Sequence, residues 1–319
     1  MKKNINFLQK IKKPFFVLAP MADVTDYAFR TIISKYGKPD IFWTEFVSAD
    51  GLTHPLAKRK LLVNLKYNKR EHPIIAQIFG ANPLNIKKAS ELCRKLGFDG
   101  IDINMGCPDR AIEKQGAGAS LIKNKELAKE IIKSAKEGAG DLPILIKTRI
   151  GYNKYDKEWL RFLLNQGIDV LTVHLRTRKE MSLVPARWEL MKDIVSLRDE
   201  INKDILIIGN GDVESIEDGK KKVDWFGCDG VMLGRAIFGN PWLFSKKKPK
   251  SIKEKLNVMV EHTRFFEREF KGKKNFAVMK KHFKAYVNGF LGAKELRIKL
   301  MEASTAKEVA SIVKDSTFK

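Results

Sequence analysis

The side chains best suited to chemistry in this sequence stand just beyond short apolar runs. Cys107 closes the stretch Gly100-Ile101-Asp102-Ile103-Asn104-Met105-Gly106-Cys107-Pro108. Ile101 and Ile103 alternate with Asp102 as in a strand. Gly106 and Pro108 then stop the pairing, one through backbone freedom and the other by lacking an N–H. A thiol placed there is fixed by a sheet and open to a cleft. A lone cysteine is more often a small buried apolar residue, so its company decides. Glu45, Gln77, Asn104, Lys147, Arg149, His174, Arg176, Asn210-Gly211-Asp212 and Gly234-Arg235-Ala236 all end or follow comparable apolar runs. One polar residue at a strand end is an ordinary solvated tip, whereas a ring of them around one mouth is better explained as a binding site.

The types in that ring suit an anionic, planar guest. Gly211 and Gly234 let backbone N–H groups approach a phosphate, and Arg235 completes an anion site. The amide of Gln77 offers both a donor and an acceptor to a ring edge. Lys147 would place positive charge where a reduced flavin gathers negative charge. Taken in chain order, these features favour a flavin mononucleotide (FMN) site. Cys93 sits in a helical pattern and Cys228 in a turn. The three cysteines share no ligand spacing, so neither a disulfide framework nor a metal site is expected.

Eight short runs must position these residues: Phe16–Ala19, 41–47, Ile74–Phe79, 100–103, 144–147, Val170–His174, 205–208 and Gly230–Leu233. Helical periodicity separates most of them, as in Ala89, Leu92, Leu96 and Leu127, Ile131, Ala135. That rhythm predicts an α/β fold, a (β/α)8 TIM barrel over residues 1–244, with its site at the C-terminal strand ends. A doubly wound sheet is the alternative, but no G-x-G-x-x-G opens the first helix. After the charged linker from Ser245 to Lys250 the pattern is helical only. Leu256 to Phe266, Phe276 to Phe290 and Ala306 to Val313 predict a smaller all-helical domain over 245–319. Thr305 and Glu308 resemble a capping box, with Ser304 as the other candidate cap.

At 319 residues, 44% hydrophobic and 31% charged, the chain has the composition of a soluble globular protein. It has no apolar run long enough to span a bilayer and no apolar stretch near its start resembling a secretory signal, so a cytoplasmic location with no membrane association is expected. The formal charge of +23 is concentrated toward the end, where Lys and Arg outnumber Asp and Glu by 20 to 8 from Ser245 onward. Such a basic segment suits a polyanion such as nucleic acid, with lysine richness throughout the chain as the alternative explanation.

The residues quoted above carry a resemblance. Ala19-Pro20-Met21-Ala22, Gln77-Ile78-Phe79-Gly80, Asp102 to Pro108, Lys147-Thr148-Arg149, His174-Leu175-Arg176-Thr177-Arg178, Asn210-Gly211-Asp212-Val213 and Gly234-Arg235-Ala236 resemble the tRNA-dihydrouridine synthase family. These are FMN enzymes with a TIM barrel and a helical RNA-binding domain. The resemblance implies that Pro20, Met21, Ala22, Gln77, Lys147, His174, Asn210, Gly211, Asp212, Gly234 and Arg235 bind FMN. It implies Cys107 as the proton donor, with Asn104, Arg149 and Arg176 on the substrate side. It also implies NADPH or NADH as reductant and tRNA as partner. In the basic helical segment Lys280, Lys281, Lys284 and Arg297 are candidate phosphate contacts, a solvated helix face being their other reading; no metal and a monomer are expected. Two departures fall near the substrate side: Leu175 between His174 and Arg176, and Ser182-Leu183-Val184-Pro185 within the segment 179–188. Two other readings are a flavin reductase of a free pyrimidine or enone, and a non-catalytic RNA-binding protein.

Overall fold

The computed structural model describes residues 7–316. Nine parallel strands make one sheet: β1 (Phe15–Leu18), β2 (Phe42–Trp43), β3 (Val47–Ser48), β4 (Ile74–Phe79), β5 (Gly100–Met105), β6 (Ile144–Arg149), β7 (Val170–His174), β8 (Leu206–Asn210) and β9 (Gly230–Leu233). Their order is β1-β9-β8-β7-β6-β5-β4-β2, with β3 paired to the far end of β4. A parallel bridge between Val17 and Ile41 joins β1 to the β2 side and rounds the sheet into a TIM barrel. Seven predicted strands appear, three with the predicted ends and four with an end shifted by one or two residues. The predicted strand 41–47 is instead broken into β2 and β3. The Thr44 hydroxyl accepts from the backbone N–H of Gln77, and the Glu45 carboxylate turns to the N–H of Asp23 and to Lys274. Thr44 N–H still donates to the Ile75 carbonyl at 3.0 Å, but the side chains of Thr44 and Glu45 are engaged elsewhere where the strand breaks.

Strand alternation explains why the mouth is polar. Phe15, Val17, Ile41, Trp43, Ile75, Leu145, Val170, Leu206, Ile208 and Met232 form their own apolar cluster inside the barrel. A second, larger cluster lies between the strands and the surrounding helices. Because successive strand residues face opposite sides, the inward series in β6 runs Leu145, Lys147, Arg149, and in β7 Val170, Thr172, His174. Each series starts apolar at the bottom and ends polar at the top. Gly230 makes room for Phe15 at the bottom, since a Cβ there would lie 2.7 Å from its ring. With this interior filled, the only inward side chains left to meet a ligand are those at the C-terminal strand ends.

Four helices follow the barrel: Ile252–Phe270, Val278–Tyr286, Ala293–Glu302 and Ala306–Lys314. The predicted run 276–290 is shorter because Gly289 and Gly292, at φ of +77° and +83°, turn the chain between two helices. Thr305 is the cap, accepting from the N–H of Glu308, while the Glu308 carboxylate accepts from the N–H of Ser304. The helices Ile252–Phe270 and Val278–Tyr286 pack on the barrel helix Tyr27–Tyr36 through the same apolar cluster that lines the barrel's outer face, and the last two helices pack on these. In that joint His262 stacks on Phe29, 4.9 Å between ring centroids, and meets His282 at 4.6 Å. Burial holds both imidazoles neutral. No helix among the described residues is long and apolar enough to cross a membrane.

Candidate active site

Sheet register places the polar strand ends side by side. Asn104 on β5 is paired with Lys147 on β6, Arg149 with His174 on β7, and His174 with Asn210 on β8. Lys147, Arg149, His174 and Asn210, with the loops after β1, β8 and β9, line a cavity of about 680 Å³, while Asn104 is buried outside its wall. Pro20, Met21, Lys147, Arg149, His174, Arg176, Asn210, Gly211, Asp212, Gly234 and Arg235 all contribute to its wall. Of the predicted cofactor residues, Ala22 is exposed and outside this wall, and Gln77 is fully buried beneath it. Ser182 and Glu214 line the cavity without having been expected to. Both lie in loops, where no strand periodicity points to them.

The cations are braced rather than loose. Arg176 donates to the Val184 carbonyl, to His174 Nε2 and to the Asp212 carboxylate. Since a guanidinium only donates, His174 Nε2 accepts, and its other nitrogen carries the proton. Burial, and then the cations of Lys147, Arg149, Arg176 and Arg235, hold His174 well below its ordinary value, so it is neutral. Asp212, at a left-handed φ of +47°, also holds Arg235 at 2.5 Å and receives the Ala186 N–H at 2.8 Å. Arg149 donates to three backbone carbonyls, Gly106 at 2.8 Å, Thr177 at 3.0 Å and Met181 at 2.9 Å. It therefore ties the Cys107 loop to the segment after β7. Within the atypical run 182–185, Val184 is held by Arg176.

Lys147 is different. Its side chain is partly buried in the cavity wall, and its one hydrogen-bond partner among the described residues is Asn210 Oδ1, at 3.2 Å. Burial, then the neighbouring Arg149, lowers its pKa to about 8, which leaves it charged at neutral pH with donors to spare. Cys107 is half-buried beside these two cations. Burial raises its thiol above the ordinary value, against the opposing N–H of Asp109, so it stays protonated. Its loop is pinned by Ala119 N–H on the Cys107 carbonyl at 2.9 Å and by the Arg178 contact to Pro108, with Arg178 in turn paired to Glu113. Cys93 and Cys228 are buried with thiols pushed up to about 12, in keeping with structural roles. No group of three or more candidate metal ligands occurs among the described residues.

A barrel mouth with this chemistry can be set against known proteins. A family model described as "Dihydrouridine synthase (Dus)" matches residues 17–319. The chain belongs to the dihydrouridine synthase family. Relatives within it include the probable tRNA-dihydrouridine synthase 2 of Bacillus subtilis (strain 168), 42% identical over 97% of this chain and 96% of that protein. The probable tRNA-dihydrouridine synthase of Staphylococcus aureus (strain Mu50) is 41% identical over 97% of this chain and 94% of its own. Among solved structures, morphinone reductase in complex with tetrahydroNAD aligns with a TM-score of 0.50 at 13% identity. That alignment covers 76% of this chain and 91% of the reductase. At that identity the likeness concerns the barrel alone. In this dihydrouridine synthase family member the block Asn104-Met105-Gly106-Cys107-Pro108 ends β5 and forms the loop after it; neither Asn104 nor Cys107 is part of the cavity wall, but Cys107 neighbours Lys147 and Arg149, which are.

Proposed function

We propose that the protein reduces the C5=C6 bond of uridines in tRNA to give 5,6-dihydrouridine, with FMN in the barrel cavity and NADPH or NADH as reductant. The observation that carries the reading is a half-buried, protonated thiol on the loop after β5, beside the Lys147 and Arg149 side chains that line the cavity, in a dihydrouridine synthase family chain. FMN fits the residues present. The cavity is in the size range of small-molecule sites. The first N–H groups of the short turn Arg235–Ile237 have no partner within it, and Arg235 stands beside them for a phosphate. Lys147 has unused donors for a ring carbonyl. Pro20, Met21, His174, Asn210, Gly211, Asp212 and Gly234 would complete the wall, with Gln77 and Ala22 acting at most through the loops they support.

When bound, FMN supplies the hydride that adds at C6 of the pyrimidine. Cys107 then delivers its proton to C5 as general acid, a role that suits a thiol held neutral at pH 7. Neutral His174 and the braced guanidinia of Arg149 and Arg176 orient the uracil carbonyls and face their developing charge, whereas Asn104 is engaged with Gln77 and the Cys107 loop. A uridine must leave the RNA stack to enter the barrel, which costs a few kcal/mol. The basic helices after Ser245 offset that cost through phosphate contacts. Lys280 and exposed Lys284 are available for these, whereas Lys281 lies 3.7 Å from Asp23 and Arg297 donates to the Val287 carbonyl.

The test offers purified protein NADPH with tRNA lacking dihydrouridine, or with free uracil, and counts product by mass spectrometry. Dihydrouridine in the tRNA alone is expected. Reduction of the free base with the tRNA untouched would contradict the reading.

A further inference from the structure

Beneath the cavity lies a buried carboxylate that none of the roles above uses. Asp102 is inward-facing on β5 and 1% exposed. Its Oδ2 accepts from Trp43 Nε1 at 2.8 Å and from Gln77 Nε2 at 2.6 Å, while Oδ1 is buried without a partner. Gln77 Oε1, at the other end of the same amide, accepts from Asn104 Nδ2 at 3.0 Å. Asn104 Oδ1 in turn accepts from the backbone N–H groups of Gly106, at 3.1 Å, and Cys107, at 2.9 Å.

We propose that Asp102 is a positioning residue that sets the orientation of two side-chain amides and, through them, the backbone carrying the Cys107 thiol. An isolated carboxamide can sit either way round, because its two ends are nearly the same shape. An ionised carboxylate has no such freedom; it accepts only. Asp102 therefore requires the NH2 of Gln77, which turns the Gln77 oxygen toward Asn104. That oxygen requires the NH2 of Asn104, which leaves the Asn104 oxygen for the N–H groups of Gly106 and Cys107. Reversing either amide would set oxygen against oxygen or NH2 against NH2 in a buried place, where unmade hydrogen bonds are most costly. Burial pushes Asp102 up to about 6, opposed by its bonds to Gln77 and Trp43 and by Lys147, so the acceptor-only form prevails at neutral pH. Asn104 is thus locked with its oxygen on the cysteine loop, and its NH2 is not free to meet a substrate carbonyl.

This inference rests on the proposed reduction of tRNA uridine, and its test separates the two. Asp102→Asn, Asp102→Leu and Trp43→Phe are each compared with the parent in bound flavin, in reduction by NADPH, in oxidation of the reduced enzyme by tRNA, and in iodoacetamide labelling of Cys107. Asparagine keeps an acceptor for both donors, so its rates stay within about threefold of the parent. Leucine leaves the Gln77 amide unfixed. Oxidation by tRNA then slows on the order of 100-fold with KM unchanged, as expected when a reacting group is slightly misplaced. Cys107 labelling changes several-fold, and flavin content and NADPH reduction hold. Trp43→Phe removes the other donor on the same oxygen and behaves as the parent. Should the leucine variant not fold, Gln77→Met breaks the same chain one link on and is read in the same way. Parental oxidation by tRNA in the leucine variant would overturn the inference. So would an asparagine or Trp43→Phe variant as slow as leucine. A parent that tRNA fails to oxidise at all would instead count against the proposed function.

Discussion

Lys147 and Cys107 are neighbours with opposite requirements. The ammonium is useful charged and the thiol useful protonated, and burial acts on both by disfavouring charge. For Lys147 the pKa of about 8 puts the loss of charge within reach of experiment. The rate of tRNA-dependent oxidation is expected to fall as pH rises through about 8, because deprotonation removes the cation. Lys147→Arg should move that limb upward, since arginine does not deprotonate in this range. A rate still rising past pH 9 in the parent would contradict the assignment. Lys147, His174 and Asn210 were legible in the sequence because strand alternation puts the last inward residue of each strand at the mouth. The tasks of Arg149 and Arg176 were not. Arg149 depends on backbone carbonyls 28 to 43 residues away and Arg176 on a loop carbonyl and the Asp212 carboxylate, and periodicity carries no trace of such contacts. Asp102 reads locally as the polar partner of Ile101 and Ile103, which is how a solvent-facing strand residue also reads.

The elements around β1 and β2 show what joins the trailing helices to the barrel. Asp26 caps the helix Tyr27–Tyr36 by accepting from Phe29 N–H at 2.9 Å, and its other oxygen is buried without a partner. Burial, partly opposed by Lys274, raises it to about 6. A carboxyl with a raised folded-state pKa stabilises the fold least when ionised, so this contribution is lost as pH rises through about 6. Asp26→Asn keeps the cap acceptor. Its stability relative to the parent should improve by about 1 kcal/mol between pH 5 and 7.5 in urea titrations. A constant difference would show that Asp26 is not protonated in that way. Lys274 and Glu45 form a pair at 2.7 Å with side chains 10% and 3% exposed. Lys274→Met should cost about 3 kcal/mol by leaving a buried carboxylate uncompensated, and adding Glu45→Gln should recover most of it. A loss under about 1 kcal/mol would mean that water reaches the pair. The broken second strand follows from this contact, which lies 229 residues apart in the chain and could not be anticipated from the run 41–47.

Across the whole molecule, the barrel and the helical segment were the most legible features. Each rests on many repeats of one period, 2 for strands and 3.6 for helices, so single ambiguities average out. The charge of +23 bears on the partner rather than the fold. Affinity for tRNA should fall steeply with salt, by about 0.7 to 0.9 in the logarithm per phosphate contact and decade of salt. Replacing Lys280 and Lys284 together by Gln should flatten that slope by up to about 2, and an unchanged slope would move the contact surface elsewhere. The central claim is that Cys107 delivers the proton to uridine. It is tested most directly by reducing the protein with NADPH, mixing it with tRNA lacking dihydrouridine, and following a single turnover in the parent and in Cys107→Ala. The variant is expected to bind flavin and accept electrons as the parent does, yet form dihydrouridine slower by about 100-fold or more. Product at the parental rate from the alanine variant would contradict the account.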